Sequence, residues 1–188
     1  MSDSQSLTAA EIKSIIDTAN AMADVARAVI LPRFRSNSLV TENKSLNSFD
    51  PVTDADKVAE KVMISELQKR RPTDGVFGEE FGELNGESLY RWVLDPIDGT
   101  RAFISGAPTW GVLISLEKIG SGPIFGIIDQ PYIGERFFGG LGLAEYKKHD
   151  ESIKLKTSGV EEIENAILLS TFPEIGTEND RNAFERVS

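Results

Sequence analysis

The sequence predicts an α+β fold built in layers, and two observations carry that reading. Helical periodicity fills much of the first seventy residues, whereas the middle of the chain consists of short apolar runs separated by glycine-rich turns. Helices ahead of antiparallel-looking strands favour an α+β layering over a doubly wound βαβ sheet.

Thr8-Ala9-Ala10-Glu11 is a capping box, and Ile12, Ile15, Ile16, Ala19, Met22, Ala23, Ala26, Val29 and Ile30 follow it at spacings of three and four. That stripe predicts an amphipathic helix stopped near Pro32. Residues 33–50 are rich in Ser and Asn and read as a loop with one short strand. Thr53 caps a second helix carrying Val58, Val62, Met63 and Leu67, which ends at Arg70-Arg71-Pro72. Val76-Phe77 is a short strand entering the loop Gly78-Glu79-Glu80, residues 84–88 read as a loop, and Tyr90 to Leu94 is a strand. Runs at 110–116 and 124–128, joined by Gly-Ser-Gly-Pro-type turn residues at 120–123, form a hairpin. Further strands are expected at 133–140, 141–147 and 166–170, and a polar helix from Thr177.

The 188 residues suffice for one large domain or two small ones. The expected division is an N-terminal α+β metal-binding domain over 1–146 and the start of a C-terminal α/β domain over 147–188. A net charge of −10 argues against a general binder of nucleic acid or anionic membrane, though a bound cation can reverse the field locally. Without cysteine there is no thiolate chemistry, disulfide or zinc–cysteine site. No apolar run approaches membrane-spanning length and the N-terminus does not read as a signal peptide, so a cytoplasmic protein is expected.

Chemistry concentrates in Asp95-Pro96-Ile97-Asp98-Gly99-Thr100, directly after Trp92-Val93-Leu94. On a turn, two carboxylates offset by three residues can face one point, and hard cations such as Mg2+ take oxygen ligands. A turn leaves carbonyls unpaired, which makes the Ile97 carbonyl a third candidate ligand. Gly99 lets backbone approach a ligand, and Thr100 brings a hydroxyl to the start of a short helix over 101–104, whose N–H groups suit a phosphate. The plainer reading is a surface turn, since Asp, Pro and Gly are turn residues. Glu79, sixteen residues before Asp95, adds a carboxylate at the end of a neighbouring strand, where it can complete a metal site and orient a water. Asp56 reads first as the first-turn carboxylate of a capped helix and second as a residue reaching a metal through water.

Competing motifs fail on spacing. Counting from Asp95, the twelfth residue is Gly106, not the glutamate an EF-hand loop requires. A D-x-D-G-T aspartyl-phosphate site would have its nucleophile where Pro96 stands, and no P-loop is present. His149, the only histidine, reads as part of a solvated turn, and Lys69-Arg70-Arg71 suits the dipole of a helix end.

The three motifs together, Val52-Thr53-Asp54-Ala55-Asp56, Gly78-Glu79-Glu80 and Trp92 to Thr100, resemble the inositol monophosphatase family in order and spacing across essentially the whole chain. The resemblance implies a layered α/β sandwich and an Mg2+-dependent, often lithium-sensitive phosphomonoesterase. It implies Glu79, Asp95, the Ile97 carbonyl and Asp98 as metal ligands, with Asp56 holding a weaker metal through water. Glu79 and Thr100 would activate the attacking water, and Asp98, Gly99, Thr100 and Arg101 would meet the substrate and its phosphate. Lys44 matches, loosely, a lysine the family carries ahead of the Asp56 motif. Arg101, where the inositol-type pattern reads Gly-Thr-x-Asn-Phe, looks like the histidinol-phosphatase branch and points to L-histidinol phosphate, with an inositol or sugar phosphate as the alternative. Many members are dimers, so a homodimer is expected, although no stretch here identifies its interface.

One departure stands out. The family's C-terminal segment holds a Trp-Asp motif that binds a second metal, and Asp180, lacking a preceding Trp, reads as helix-associated. A C-terminally truncated sequence is therefore expected, and a non-catalytic fragment that binds metal and phosphate or dimerises is the rival from another class.

Overall fold

The computed structural model describes residues 7–37, 39–43, 51–149, 151–167, 169 and 177–186. The first helix, α1 (Ala9–Ile30), begins at a capping box in which the Glu11 N–H donates to Thr8 Oγ1 at 3.2 Å and the Thr8 N–H donates to Glu11 Oε2 at 2.8 Å. Its buried stripe is Ile15, Thr18, Ala19, Met22, Ala23, Ala26 and Ile30. Several of these are small, so α2 (Asp54–Arg70) packs alongside through Ala55, Ala59, Met63 and Leu67. Between the helices, β1 (Thr41–Asn43) and β2 (Pro51–Thr53) form an antiparallel pair with Glu42 opposite Val52, one strand more than the sequence suggests.

The remaining strands are β3 (Gly75–Gly78), β4 (Gly82–Leu84), β5 (Tyr90–Asp98), β6 (Gly111–Lys118), β7 (Gly122–Gln130), β8 (Glu135–Gly140), β9 (Leu143–Lys148) and β10 (Glu151–Lys154), with helix α3 (Thr100–Ser105) after β5. They make one eight-stranded sheet in the order β10-β9-β8-β7-β6-β5-β3-β4. All neighbours are antiparallel except β3 and β5. The sequence reading lacks β4 and β10, which are short edge strands. Leu84, expected in a loop, ends β4 opposite Val76.

The sheet turns one face to the helices. Trp92, Leu94 and Ile97 of β5, Val112, Ile114 and Leu116 of β6, Phe125 and Ile127 of β7 and Phe138 of β8 are buried there. Each such side chain contributes roughly 1.5–3 kcal/mol by leaving water. On the opposite face Val93, Leu113, Ile128 and Phe137, with Asp95, line a cleft of about 560 Å³.

Two buried carboxylates tie these layers together. Asp74 accepts from Trp92 Nε1 at 3.0 Å, from Ser88 Oγ at 2.8 Å and from Arg71, which joins the end of α2 to β5. Asp129 of β7, fully buried, accepts from Arg27 of α1 and Arg136 of β8, both at 2.7 Å; Arg136 goes on to Asn20 and Asp24, each at 2.8 Å.

The chain divides into two compact units, Met1–Leu155 and Lys156–Ser188. In the second, Ile163–Asn165 is a 3-10 turn and α4 (Glu178–Glu185) starts at a capping box between Thr177 and Asp180, whose Oδ2 accepts the Thr177 N–H at 2.7 Å. Asp180 is thus helix-associated, as expected. The strand expected at 166–170 is not formed by residues 166, 167 and 169, while 168 and 170 lie outside the described residues. Among the described residues of that unit there is no strand to supply ladder hydrogen bonds.

Replacing Asp129 by Ala removes the carboxylate that Arg27 and Arg136 share and leaves Asp24, at the edge of the network, as the counter-charge of Arg136. Urea unfolding of Asp129→Ala is expected to lose about 3 kcal/mol, the scale of breaking a buried pair; a loss under half a kcal/mol would show that the arginines find other partners.

Candidate active site

The ends of two parallel strands build the site. Gly78 of β3 pairs with Leu94 of β5, and the ladder continues past β3 as the Glu79 N–H donates to the Leu94 carbonyl at 3.2 Å. The sixteen-residue offset of that register is also the Glu79–Asp95 spacing, so the two carboxylates stand side by side and share a hydrogen bond.

Beyond Leu94 the structure corrects the sequence reading. The Asp95–Asp98 segment is not a turn after the strand but the strand's own end, with a register shift between Asp95 and Asp98 against β6. The cause is local: the Ile97 N–H donates to the Asp95 carboxylate at 3.1 Å, an Asx-type turn, and Pro96 has no N–H to give the ladder. Strict alternation would put residues three apart on opposite faces. The bulge absorbs one position, so Pro96 and Ile97 are buried in succession and the Asp98 charge acts on Asp95.

Gly99 follows at φ +87°, a left-handed conformation, and a Cβ on it would lie 2.9 Å from the Thr109 carbonyl oxygen. That close approach seats α3 against the start of β6. Thr100 Oγ1 donates to the Ile97 carbonyl at 3.1 Å. The Ile97 carbonyl is therefore not unpaired as expected from a turn, although its second lone pair stays available to a cation. Arg101 is exposed on α3.

The electrostatics are those of buried acids placed beside one another. Burial pushes the Asp95 carboxyl up to about 8, with the neighbouring Glu79 charge adding to it and Asp98 contributing less. Asp56 is the third residue of the α2 capping box: its Oδ2 accepts the Thr53 N–H at 2.8 Å and the Thr53 hydroxyl at 2.5 Å. Burial lifts it to about 6 against those hydrogen bonds, and the charge acting on it is Glu80. Among the described residues no three acidic or histidine side chains already form a closed metal cage. The donor set still fits a hard divalent cation, because carboxylates that hold protons near neutrality are short of positive charge. Lys44 lies outside the described residues.

One residue of the site escapes the sequence reading. Glu60 of α2 is fully buried, and its carboxylate accepts the N–H groups of Glu80 at 2.8 Å and Phe81 at 2.9 Å, which pins the loop carrying Glu79. Burial raises its pKa, the two N–H groups oppose that, and the Glu80 and Glu79 charges add to it. Gly78 makes room, since a Cβ there would sit 1.8 Å from Glu60 Oε1. The available signal was an acid four residues after Asp56, hence on the same helical face, interrupting the apolar stripe.

With this geometry, the comparisons with known proteins are specific. The description "Inositol monophosphatase family" matches residues 11–186. The chain is 37% identical over 183 residues to the bifunctional phosphatase IMPL2, chloroplastic, of Arabidopsis thaliana, covering 96% of this chain and 51% of the relative. It is 40% identical over 123 residues to a histidinol-phosphatase of Streptomyces coelicolor, covering 64% of this chain and 45% of that one. Among solved structures, an inositol monophosphatase from Zymomonas mobilis superposes with a TM-score of 0.73 at 34% identity, over 96% of this chain and 66% of that chain. The chain thus spans about half the length of the curated relatives it matches.

Asp95 and Asp56 bind protons more tightly folded than unfolded, so their contribution to stability is full below about pH 4 and is lost as pH rises through about 6 and then 8. A cation must displace those protons. In thermal melts from pH 5 to 8 the metal-free midpoint should fall while the Mg2+-induced shift grows; an Mg2+ shift that shrinks with pH would contradict the site. Glu60→Gln replaces one acceptor with a donor facing an N–H, and should weaken Mg2+ binding about ten-fold by releasing the Glu79 loop, as measured by calorimetric titration.

Proposed function

The chain belongs to the inositol monophosphatase family, and on that premise we propose that it serves a metal-dependent phosphomonoesterase whose substrate is L-histidinol phosphate. The observation that carries the hydrolase reading is the Glu79–Asp95 pair at the end of parallel strands, with Asp98 brought to the same side by the bulge. Glu79, Asp95, Asp98 and the Ile97 carbonyl would hold the cation, Mg2+ in this proposal, with Asp56 reaching a second one through water. Bound there, such a cation neutralises phosphate charge and acidifies a water.

The chain's own groups do the rest. Because the Thr100 hydroxyl donates its proton to the Ile97 carbonyl, its lone pairs are free to accept from an attacking water and orient it. Glu79 takes that water's proton as its oxygen attacks phosphorus. The Gly99 and Thr100 N–H groups and Arg101 receive the phosphate oxygens. The ester P–O bond breaks as the water oxygen adds, and the alcohol leaves after protonation from solvent, with no covalent enzyme intermediate.

Substrate choice rests on Arg101 and on the relatives. The long alignments include histidinol-phosphatases of Streptomyces coelicolor and, at 36% identity over 150 residues, Mycobacterium tuberculosis. The acidic surroundings of Glu79, Glu80 and Asp98 suit an amino-bearing substrate. The likeness to the Zymomonas mobilis enzyme favours an inositol phosphate as the second reading. Among the described residues no helix is long and apolar enough to cross a membrane; a cytoplasmic location and a homodimer complete the proposal.

Phosphate release from L-histidinol phosphate and from inositol 1-phosphate, with Mg2+ and with EDTA, tests the reading. Turnover of histidinol phosphate at least ten-fold faster is expected; preference for inositol phosphate selects the second reading, and no Mg2+-dependent release from either removes the enzyme. Asp95→Asn should abolish turnover yet leave the metal-free fold intact, because Asn resembles the protonated carboxyl. Thr100→Ala should lower kcat more than it raises KM; an effect on KM alone would reduce Thr100 to a phosphate contact.

A further inference from the structure

Arg35 stands at φ +60°, a left-handed conformation that disfavours any residue but glycine by roughly 1–2 kcal/mol. Strain of this kind persists only where surrounding contacts over-determine it, and the Arg35 side chain makes such contacts. Its Nε and Nη2 donate to the Gly106 carbonyl oxygen at 3.0 and 2.8 Å, and its Nη1 donates to the Tyr132 hydroxyl at 2.6 Å. The guanidinium also lies 4.9 Å from the Phe34 ring centre and 4.7 Å from that of Tyr132.

These contacts converge on the far end of α3. Gly106 closes that helix in the left-handed conformation, and Arg35 claims its carbonyl. The one buried residue of α3, Phe103, sits 5.3 Å from Phe34 and 5.0 Å from Trp110, and Phe34 lies 4.8 Å from Tyr132. The loop after α1, the end of α3 and the turn after β7 are thus locked to one guanidinium. A helix of six residues is about 9 Å long, and the Phe103 N–H donates to the Gly99 carbonyl as the Gly106 N–H donates to that of Phe103, so one short hydrogen-bonded run joins Gly106 to the Thr100 end.

We propose that Arg35 is a positioning residue: by clamping Gly106 against the Phe34–Tyr132 pair it keeps the Thr100 hydroxyl registered on the Ile97 carbonyl, and with it the phosphate-facing side of the site. The proposal rests on the phosphatase reading above. It also accounts for an arginine where the backbone favours glycine.

Arg35→Gly separates this role from a merely structural one, since glycine relieves the backbone strain while removing the clamp. In the full chain its thermal midpoint should stay close to that of the parent, because the lost hydrogen bonds and the relieved strain offset each other. Amide exchange at Phe103 to Gly106, whose N–H groups close the helix, should quicken at least ten-fold. The affinity for inorganic phosphate at saturating Mg2+, followed at the Thr100 amide, should fall about ten-fold, the weight of one charge-assisted hydrogen bond. Mg2+ affinity should change less than two-fold, because Glu79 and Asp95 are held by β3 and β5. Arg35→Lys, which keeps the charge without the fork, should recover part of the phosphate affinity. Unchanged exchange or unchanged phosphate affinity in Arg35→Gly overturns the proposal, as does a parallel collapse of midpoint, Mg2+ and phosphate binding. If the parent chain binds no phosphate while its α3 exchange still responds to Arg35→Gly, the phosphatase reading has failed and the role falls with it.

Discussion

With β3 parallel to β5 and Gly78 opposite Leu94, two carboxylates that repel each other are held at adjacent positions. Among the described residues this pairing is the sole parallel contact in an otherwise antiparallel sheet. It needs a crossover between the two strands, and β4 with the loop after it supplies one. The pairing puts the ends of β3 and β5 at the same edge, where backbone leaves the ladder and side chains converge. Glu60 below the Glu79 loop and the Asp95–Asp98 bulge refine the placement, but both act on residues the parallel register has already brought together.

The site is costly for the folded chain without a counter-charge. Asp56, Glu60 and Asp95 all have carboxyls lifted by burial, and each has an acidic neighbour lifting it further. Local preference and fold disagree here, which is the expected mark of a functional site. Elsewhere buried carboxylates are compensated: Asp74 by Arg71, Trp92 and Ser88, and Asp129 by two arginines. The contrast sets the candidate site apart from the structural ion networks, since one protein buries acids beside arginines in two places and beside other acids in a third.

Much of this was legible in the chain. Thr8 and Glu11 announced α1, Thr53 and Asp56 announced α2, and the turn residues around Gly120 announced the β6–β7 hairpin, because capping and turn chemistry are local. The Glu79–Asp95 spacing was visible as well, but its cause was not. A distance along the chain becomes a distance in space only through a pairing register, which is a tertiary fact. Short edge strands such as β4 and β10 have no signature of their own, since they exist by pairing with a neighbour. The strand expected at 166–170 shows the converse, a strand-like composition with no partner among the described residues.

Of the two readings of Asp56 the structure shows the first: its carboxylate serves the α2 cap, and the acidic neighbour whose charge reaches it is Glu80. By itself the sequence determined the helices, most strands, the family resemblance and which acids to watch, because helical period, capping pairs and turn residues act over a few positions. Only the tertiary structure decided that Asp95 to Asp98 is a bulged strand end, that Glu60 supports Glu79, and that Arg35 grips α3. Each depends on groups distant in sequence meeting at contact distance, where burial and charge, rather than local preference, set the energies.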